Sequence, residues 1–309
     1  MILCCGEALI DMLPVQAADG RDAFAPHPGG AVFSTAIALG RLGVAAGFLC
    51  PLSRDLFGAR LAAALAAAGV DATLCPRVDR PSTMAFVTLE GGEARYAFFD
   101  AQSALSGMRA EELPPVPAAA KALFFGGISL AGRASGAAFA GLAAQAGDRL
   151  VMVDPNIRPG FIRDAAAYRA RLARLLARAD LVKLSDADLR WLDPDRPEVE
   201  AIAALLDKGP ALVLITRGAA GAEAHYRGGV LRAEAPPVTV VDTVGAGDTF
   251  NAGFLAGLAR AGALGRAALR NLPPPALQEA LALATRAAAL TCSRAGADPP
   301  RAAALFGTE

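Results

Sequence analysis

The segment Val240-Val241-Asp242-Thr243-Val244-Gly245-Ala246-Gly247-Asp248-Thr249-Phe250-Asn251-Ala252-Gly253-Phe254 decides how the chain reads. A β-branched run stops at Asp242, glycines follow at 245 and 247, and apolar residues then recur at helical spacing through Phe250, Phe254, Leu255 and Leu258. The pattern predicts a helix whose N-terminus lies at Gly245, Ala246, Gly247 and Asp248. Unpaired backbone N–H groups and the positive end of the helix dipole suit phosphate oxygens there, and glycine lets a ligand approach the backbone. A carboxylate in the same turn is odd for anion binding alone. It makes sense where Asp248 accepts a proton from an attacking hydroxyl while the amides stabilise charge on a phosphoryl group in transit. On spacing alone a second reading stands beside this one, with Asp248 as a helix cap in a glycine-rich turn.

Upstream of this segment, from about residue 120, β-rich runs alternate with helical ones. Ala122 to Phe125, Leu150 to Val153, Leu181 to Leu184 and Leu212 to Thr216 read as strands, separated by helices over Ser135 to Ala146, Ala165 to Ala179 and Val199 to Leu206. Such alternation predicts an α/β fold with a central, mostly parallel sheet flanked by helices. The N-terminal third adds a strand at Ile2 to Ala8, helices near Ala31 to Leu42 and Asp55 to Ala68, and a strand near Ala46 to Pro51. Asp11 to Gln16 and Thr83 to Phe99 are β-prone, the second broken by Gly91-Gly92 as a hairpin turn would be. They predict a small separate β-sheet from about residues 11–27 and 80–104, appended to a single domain spanning residues 1–309. Ligands of open parallel sheets bind at the carboxyl ends of the strands, so residues just after strands carry the most weight.

Composition narrows the partners. The chain has 309 residues, 54% of them apolar, and lysine plus arginine equals aspartate plus glutamate at 30 each. With no bulk field to attract nucleic acid or an anionic membrane, a small molecule is the expected ligand. The cysteines Cys4, Cys5, Cys50, Cys75 and Cys292 lack C-x-x-C spacing and read as reduced thiols of a cytoplasmic protein. Met1 leads straight into a strand-like run containing Glu7, which predicts no export signal, and apolar runs such as Ala59 to Val70 are too short or interrupted to cross a bilayer. Only His27 and His225 are present, against histidine-metal or Ser-His-Asp chemistry; His27 reads as a turn residue and His225 as exposed in a hairpin. G-x-x-x-x-G-K-[ST] and the protein-kinase motifs are absent, as is G-x-G-x-x-G after the first strand.

The segment Asp242 to Phe250 resembles the C-terminal signature of the ribokinase-like (PfkB) carbohydrate kinases, in which the last Asp of G-A-G-D is the base. Pro28-Gly29-Gly30-Ala31 through Gly43 resembles that family's glycine-glycine segment, and Gly6 to Asp11 its first strand end. Val153-Asp154-Pro155-Asn156-Ile157-Arg158-Pro159 resembles its D-x-N-x-R segment, and Ala94 to Asp100 a lid strand of its fructokinase-like members. The resemblance implies that Asp248 is the catalytic base, helped by the Gly245-Ala246-Gly247 turn. It places Asp11, Gly29, Gly30, Ser34, Phe98 and Arg158 against a sugar, and Lys183, Ser185, Thr216, Gly218 and Gly221 against ATP. Magnesium falls to Asp188, and a monovalent cation, potassium, to Asp242 and Val244. Three positions depart from the family pattern. Ser34 stands where many members have Asn, implying a weaker or water-bridged sugar contact, and Ser185 and Asp188 stand where the family often has N-x-x-E. For Asp186 and Asp188, ordinary helix N-terminal chemistry is an equal alternative.

The expected activity is therefore transfer of the ATP γ-phosphoryl group to a sugar hydroxyl with magnesium, D-fructose being the first substrate. The alternatives are 2-dehydro-3-deoxygluconate, whose carboxylate Arg158 could pair with bidentately, then a nucleoside, and, in another class, a binding regulator without turnover. A homodimer through the lid is the expected assembly.

Overall fold

The computed structural model describes residues 1–90 and 93–307; the turn expected at Gly91-Gly92 lies outside the described residues. In chain order the first half forms β1 (Ile2–Cys5), β2 (Leu9–Gln16), β3 (Asp22–Gly29), α1 (Ala31–Arg41), β4 (Ala46–Leu49), β5 (Leu52–Ser53), α2 (Leu56–Ala67), β6 (Arg77–Val78), β7 (Met84–Glu90), β8 (Glu93–Phe99) and β9 (Ala122–Gly126). There follow α3 (Arg133–Ala144), β10 (Leu150–Asp154), α4 (Ala165–Arg178), β11 (Leu181–Ser185), α5 (Asp186–Leu192), α6 (Glu198–Asp207), β12 (Leu212–Thr216), β13 (Ala222–Tyr226) and β14 (Gly229–Ala233). The chain ends with α7 (Ala246–Arg260), α8 (Arg266–Arg270), α9 (Pro274–Cys292) and α10 (Ala302–Phe306).

Eight strands form one sheet in the order β14-β13-β12-β11-β10-β9-β1-β4, parallel from β12 to β4 and antiparallel only at the β13 and β14 edge. Strands β1, β4, β9 and β10 are buried along their whole length, because helices cover both faces; that burial is why each is apolar without alternation. From β1 the chain moves outward to β4 and later returns on the other side through β9, so the connections diverge between β1 and β9. Paired registers, Gly126 with Asp154 and Ser185 with Thr216, line up the strand ends along one edge.

Helix α7 approaches that edge. Its residues from Thr249 to Leu258 are all buried, as expected of a helix apolar all round. Gly253 and Gly257 let α9 come close: a Cβ on Gly253 would lie 2.9 Å from the Ala284 Cα, and one on Gly257 2.6 Å from the Ala280 Cα. Thr291 in α9 donates a hydrogen bond to the Thr249 hydroxyl at 3.0 Å, and Thr35 in α1 donates to the Asp248 carbonyl at 3.2 Å. The start of α7 is thus fixed from two sides.

A second sheet, β3-β2-β7-β8, stands off the first. Along β2 burial declines from Leu9 and Ile10 to an exposed end at Val15 and Gln16. Its base is tied down by Asp55, which caps α2 through the Gly58 amide at 2.7 Å and accepts from both the amide and the hydroxyl of Ser82 at 2.8 Å.

Some local expectations fail. Val240 and Val241 belong to no strand and are 62% and 60% exposed, because no sheet edge takes up their backbone; the Val241 and Asp242 amides bond only to the Cys292 carbonyl. His27 lies in β3 opposite Asp11 rather than in a turn. His225 is half-buried on β13 against Glu223, 3.0 Å away, rather than exposed. All cysteines are free and only Cys292 reaches the surface. No helix among the described residues is long and apolar enough to cross a membrane.

Candidate active site

Gly245 caps α7 with φ 77° and no capping side chain, so the first-turn amides meet no side-chain acceptor. A Cβ here would come within 2.8 Å of the Ala297 Cβ, in a left-handed conformation that other residues rarely adopt. Asp248 projects from this turn and keeps a half-exposed face. Burial pushes its carboxyl up to about 8; Asp154 and Glu7 add repulsion, while Lys183 and Arg158 oppose the rise. A carboxyl so placed is a proton acceptor in reach of neutral pH.

Beneath the turn lies a buried polar network. The Lys183 Nζ is 3.4 Å from where a Gly247 Cβ would stand. It donates to Asp154 Oδ2 at 3.1 Å, both side chains being almost fully buried. The same oxygen accepts from Asn251 Nδ2 at 2.7 Å, and Asp154 Oδ1 accepts from the Asn156 amide at 3.1 Å. Burial works to lower the Lys183 pKa, yet the carboxylates of Asp154 and Asp188 outweigh it and hold the ammonium charged.

At the end of β1, the Glu7 carboxylate accepts from the Ala31 amide at 2.9 Å and the Ser129 amide at 3.2 Å, capping α1, whose own cap Gly30 has no side chain. Burial pushes Glu7 up and these amides counter it. Gly30 has φ 108°, and a Cβ on it would come within 2.9 Å of the Glu7 carbonyl oxygen. Gly29 is as constrained, since its Cβ would land on the Asp11 carboxylate. Asp11 is half-buried in β2, where desolvation pushes it up to about 6. Ser34 lies half-buried in the first turn of α1.

The small sheet reaches across this cleft. Phe98 of β8 packs on Phe161 with ring centroids 3.7 Å apart and stacks on Tyr96 at 5.8 Å. The Tyr96 phenol is pushed up by burial and by Asp11 and pulled down by Arg158, so it lies in the field of both. Arg158 is exposed, and one of its nitrogens bonds only to the Ile157 carbonyl at 3.1 Å.

On the other flank, Ser185 and Thr216 end adjacent strands, and Gly218 and Gly221 follow with φ 54° and 90°. A Cβ on Gly221 would strike the Ala233 carbonyl. Asp242 bridges two segments: one oxygen accepts from the Val244 amide at 3.0 Å and the other from the Gly296 amide at 2.9 Å.

Asp188 is tied into the backbone around it. Its Oδ1 accepts from the Ile157 amide at 2.7 Å, and its Oδ2 accepts from Ser185 N at 2.8 Å and Ser185 Oγ at 2.6 Å in a reciprocal capping box. The residue is 4% exposed, with both oxygens engaged. Helix N-terminal chemistry is thus present at Asp188. Among the described residues no group of three His, Cys, Asp or Glu could hold a metal. The residues therefore fit magnesium as an ion carried on nucleotide phosphates with its own water, and not one caged by protein.

Glu7, Asp154, Asn251 and Phe161 were not singled out as site residues by sequence reasoning. Two carried a signal: Asp154 is a carboxylate ending an otherwise apolar buried strand, and Asn251 stands three residues after Asp248, one turn along the same helix face.

Comparison with known proteins agrees with the fold. Curated relatives include a fructokinase of Rhizobium leguminosarum bv. trifolii, 44% identical over 90% of this chain and 88% of its own length, and one of Klebsiella pneumoniae, 38% identical over 94% and 93%. Among solved structures, fructokinase with bound ATP from Xylella fastidiosa is 30% identical, covers 96% of this chain and 93% of its own, and superposes with a TM-score of 0.88. A double-mutant fructokinase from Vibrio cholerae O395 with fructose, ADP and potassium ion bound is 25% identical over 99% and 96%, with a TM-score of 0.85. Fold and site define an ATP-dependent sugar kinase on a ribokinase-like scaffold. The chain belongs to the pfkB family of carbohydrate kinases, whose pattern matches residues 1–303.

Proposed function

We propose that this chain phosphorylates D-fructose with ATP, Asp248 accepting the proton of the attacking hydroxyl. The observation that carries the reading is the half-exposed Asp248 carboxyl in the first turn of α7, beside amides free of any capping side chain and above a buried ammonium. The fructokinase relatives supply the sugar.

As the hydroxyl oxygen bonds to the γ-phosphorus, its proton passes to Asp248 and the bond to the bridging oxygen of ADP breaks. The Gly245-Ala246-Gly247 amides and Lys183 stabilise the growing negative charge. Asp11, Gly29, Gly30, Ser34 and Arg158 orient the sugar, and the small sheet acts as a lid that brings Phe98 and Tyr96 over it and excludes water. Ser185, Thr216, Gly218 and Gly221 hold the nucleotide. Magnesium, when bound with ATP, neutralises charge on the phosphate oxygens.

Potassium is assigned to Asp242 and Val244, at the segment that the Asp242 carboxylate ties to the Gly296 amide; equal rates in potassium and in a large inert cation would exclude that role. The apolar outer side of the lid, with Phe24 41% and Phe99 58% exposed, suits a homodimer, which sedimentation of the protein checks. The expected compartment is the cytoplasm.

The direct test is ADP release from ATP and magnesium across D-fructose, 2-dehydro-3-deoxygluconate, D-ribose, D-tagatose and adenosine. Turnover greatest with D-fructose is expected. Preference for another member of the panel overturns the assignment of the sugar, and ligand binding without any turnover overturns the kinase reading.

A further inference from the structure

The Asp154 carboxylate gathers three pieces of the site that come from three different elements. Its Oδ2 accepts from Lys183 of β11 at 3.1 Å and from Asn251 of α7 at 2.7 Å. Its Oδ1 accepts from the Asn156 amide at 3.1 Å, in the turn that presents Arg158. Asn156 holds φ 42°, a conformation that costs about 1 kcal/mol or more and persists only where neighbours enforce it. The Asn251 Oδ1 is buried and has no partner among the described residues, so the bond to Asp154 is the anchor of that side chain. A buried ion pair adds little net stability over well-packed apolar residues. What Asp154 does is therefore read from what it holds in place.

We propose that Asp154 is a positioning residue of the phosphoryl-transfer site, fixing Lys183 beneath the glycine turn and balancing its charge under Asp248. This rests on the kinase reading of Asp248. The charged groups facing Asp248 are Asp154 from β10, Lys183 from β11, Glu7 after β1 and Arg158 after β10, and Asp188 of α5 faces Lys183 in turn. From α1 only the neutral Thr35 hydroxyl reaches that turn, through the Asp248 carbonyl. Asp154 repels the Asp248 carboxylate and Lys183 attracts it, so the pair leaves Asp248 able to take a proton, where a lone ammonium would lock it in the ionised form.

The test titrates Asp248 in substrate-free protein by carboxyl 13C NMR, its resonance assigned by loss in Asp248→Asn, beside steady-state rates. In Asp154→Asn the midpoint should fall by about one pH unit or more, because Lys183 loses its counter-charge. Turnover should drop about a hundredfold as the cradle shifts. The double variant Asp154→Asn/Lys183→Met carries neither charge; its midpoint should return towards that of the parent while turnover stays low. A merely structural Asp154 would leave the midpoint unmoved in Asp154→Asn, and that result overturns the proposal. If Asp154→Asn does not fold, the double variant decides: turnover within a few-fold of the parent overturns it. Should the parent protein turn over no sugar at all, the kinase reading fails, while the titration still decides the charge balance.

Discussion

The edge of the eight-stranded sheet and the four-stranded sheet opposite face one cleft and are built on opposite terms. At the edge, the chemical groups are held by partners from distant parts of the chain. Asp248 starts a helix clamped by Thr35 and Thr291, Lys183 is tied to Asp154, and Glu7 caps α1 across 24 residues of chain. The small sheet has few such ties. It presents Asp11, Tyr96 and Phe98 on one side, leaves Phe24 and Phe99 exposed on the other, and is anchored mainly at its base through Asp55 and Ser82. Under the proposed function the contrast gives the chemistry to the edge, where geometry must hold to a fraction of an ångström, and substrate selection to the small sheet.

The largest effect expected is at the edge. Asp248→Asn should lower kcat by about a thousandfold or more, with sugar and ATP still bound in calorimetric titration. A loss in KM alone would break the division of labour. In the parent, kcat/KM should rise with pH through about 8, because only the ionised Asp248 accepts the proton.

Where the two regions meet, Gly29→Ala would place its Cβ on the Asp11 carboxylate. The KM for sugar should rise, lowering kcat/KM about a hundredfold, with the KM for ATP unchanged. On the lid itself, Phe98→Ala should cost about tenfold in kcat/KM for sugar, through lost apolar contact with Phe161 and the ligand. Equal damage to ATP binding would mean that the small sheet serves the nucleotide as well.

The smallest effect is on stability. The folded Asp248 carboxyl titrates above its unfolded value, so its contribution is fully present below about pH 4 and is lost as pH rises through about 8. Asp248→Asn removes that dependence. Its Tm should match the parent in acid and exceed it by about 2 to 4 °C at pH 9, the half-exposed face of Asp248 keeping the difference small.

Much of this was legible in the chain. The alternating apolar runs and helical periods of residues 120–216 specify a parallel α/β sheet, because a strand covered on both faces has to be apolar throughout. At the Gly245 to Asp248 turn spacing alone left a helix cap and a proton acceptor side by side, and the resemblance to the PfkB signature favoured the acceptor. Local signals also misled. Val240 and Val241 have strand-forming side chains, but strand formation needs a neighbour's backbone, and none is there. For Asp188 spacing left magnesium and helix capping equally open, and the Ile157 amide that the fold brings to it across 31 residues could not be read from either.

By itself the sequence determined most of the strand and helix pattern and the glycine turn that opens α7, because those depend on neighbours within a few residues. Tertiary structure alone decided that Asp154 joins Lys183 to Asn251 across 97 residues, that Glu7 caps a helix it does not belong to, and that Asp248 binds its proton up to about 8. Burial and the charges brought near by folding set those properties, and neither can be read from spacing along the chain.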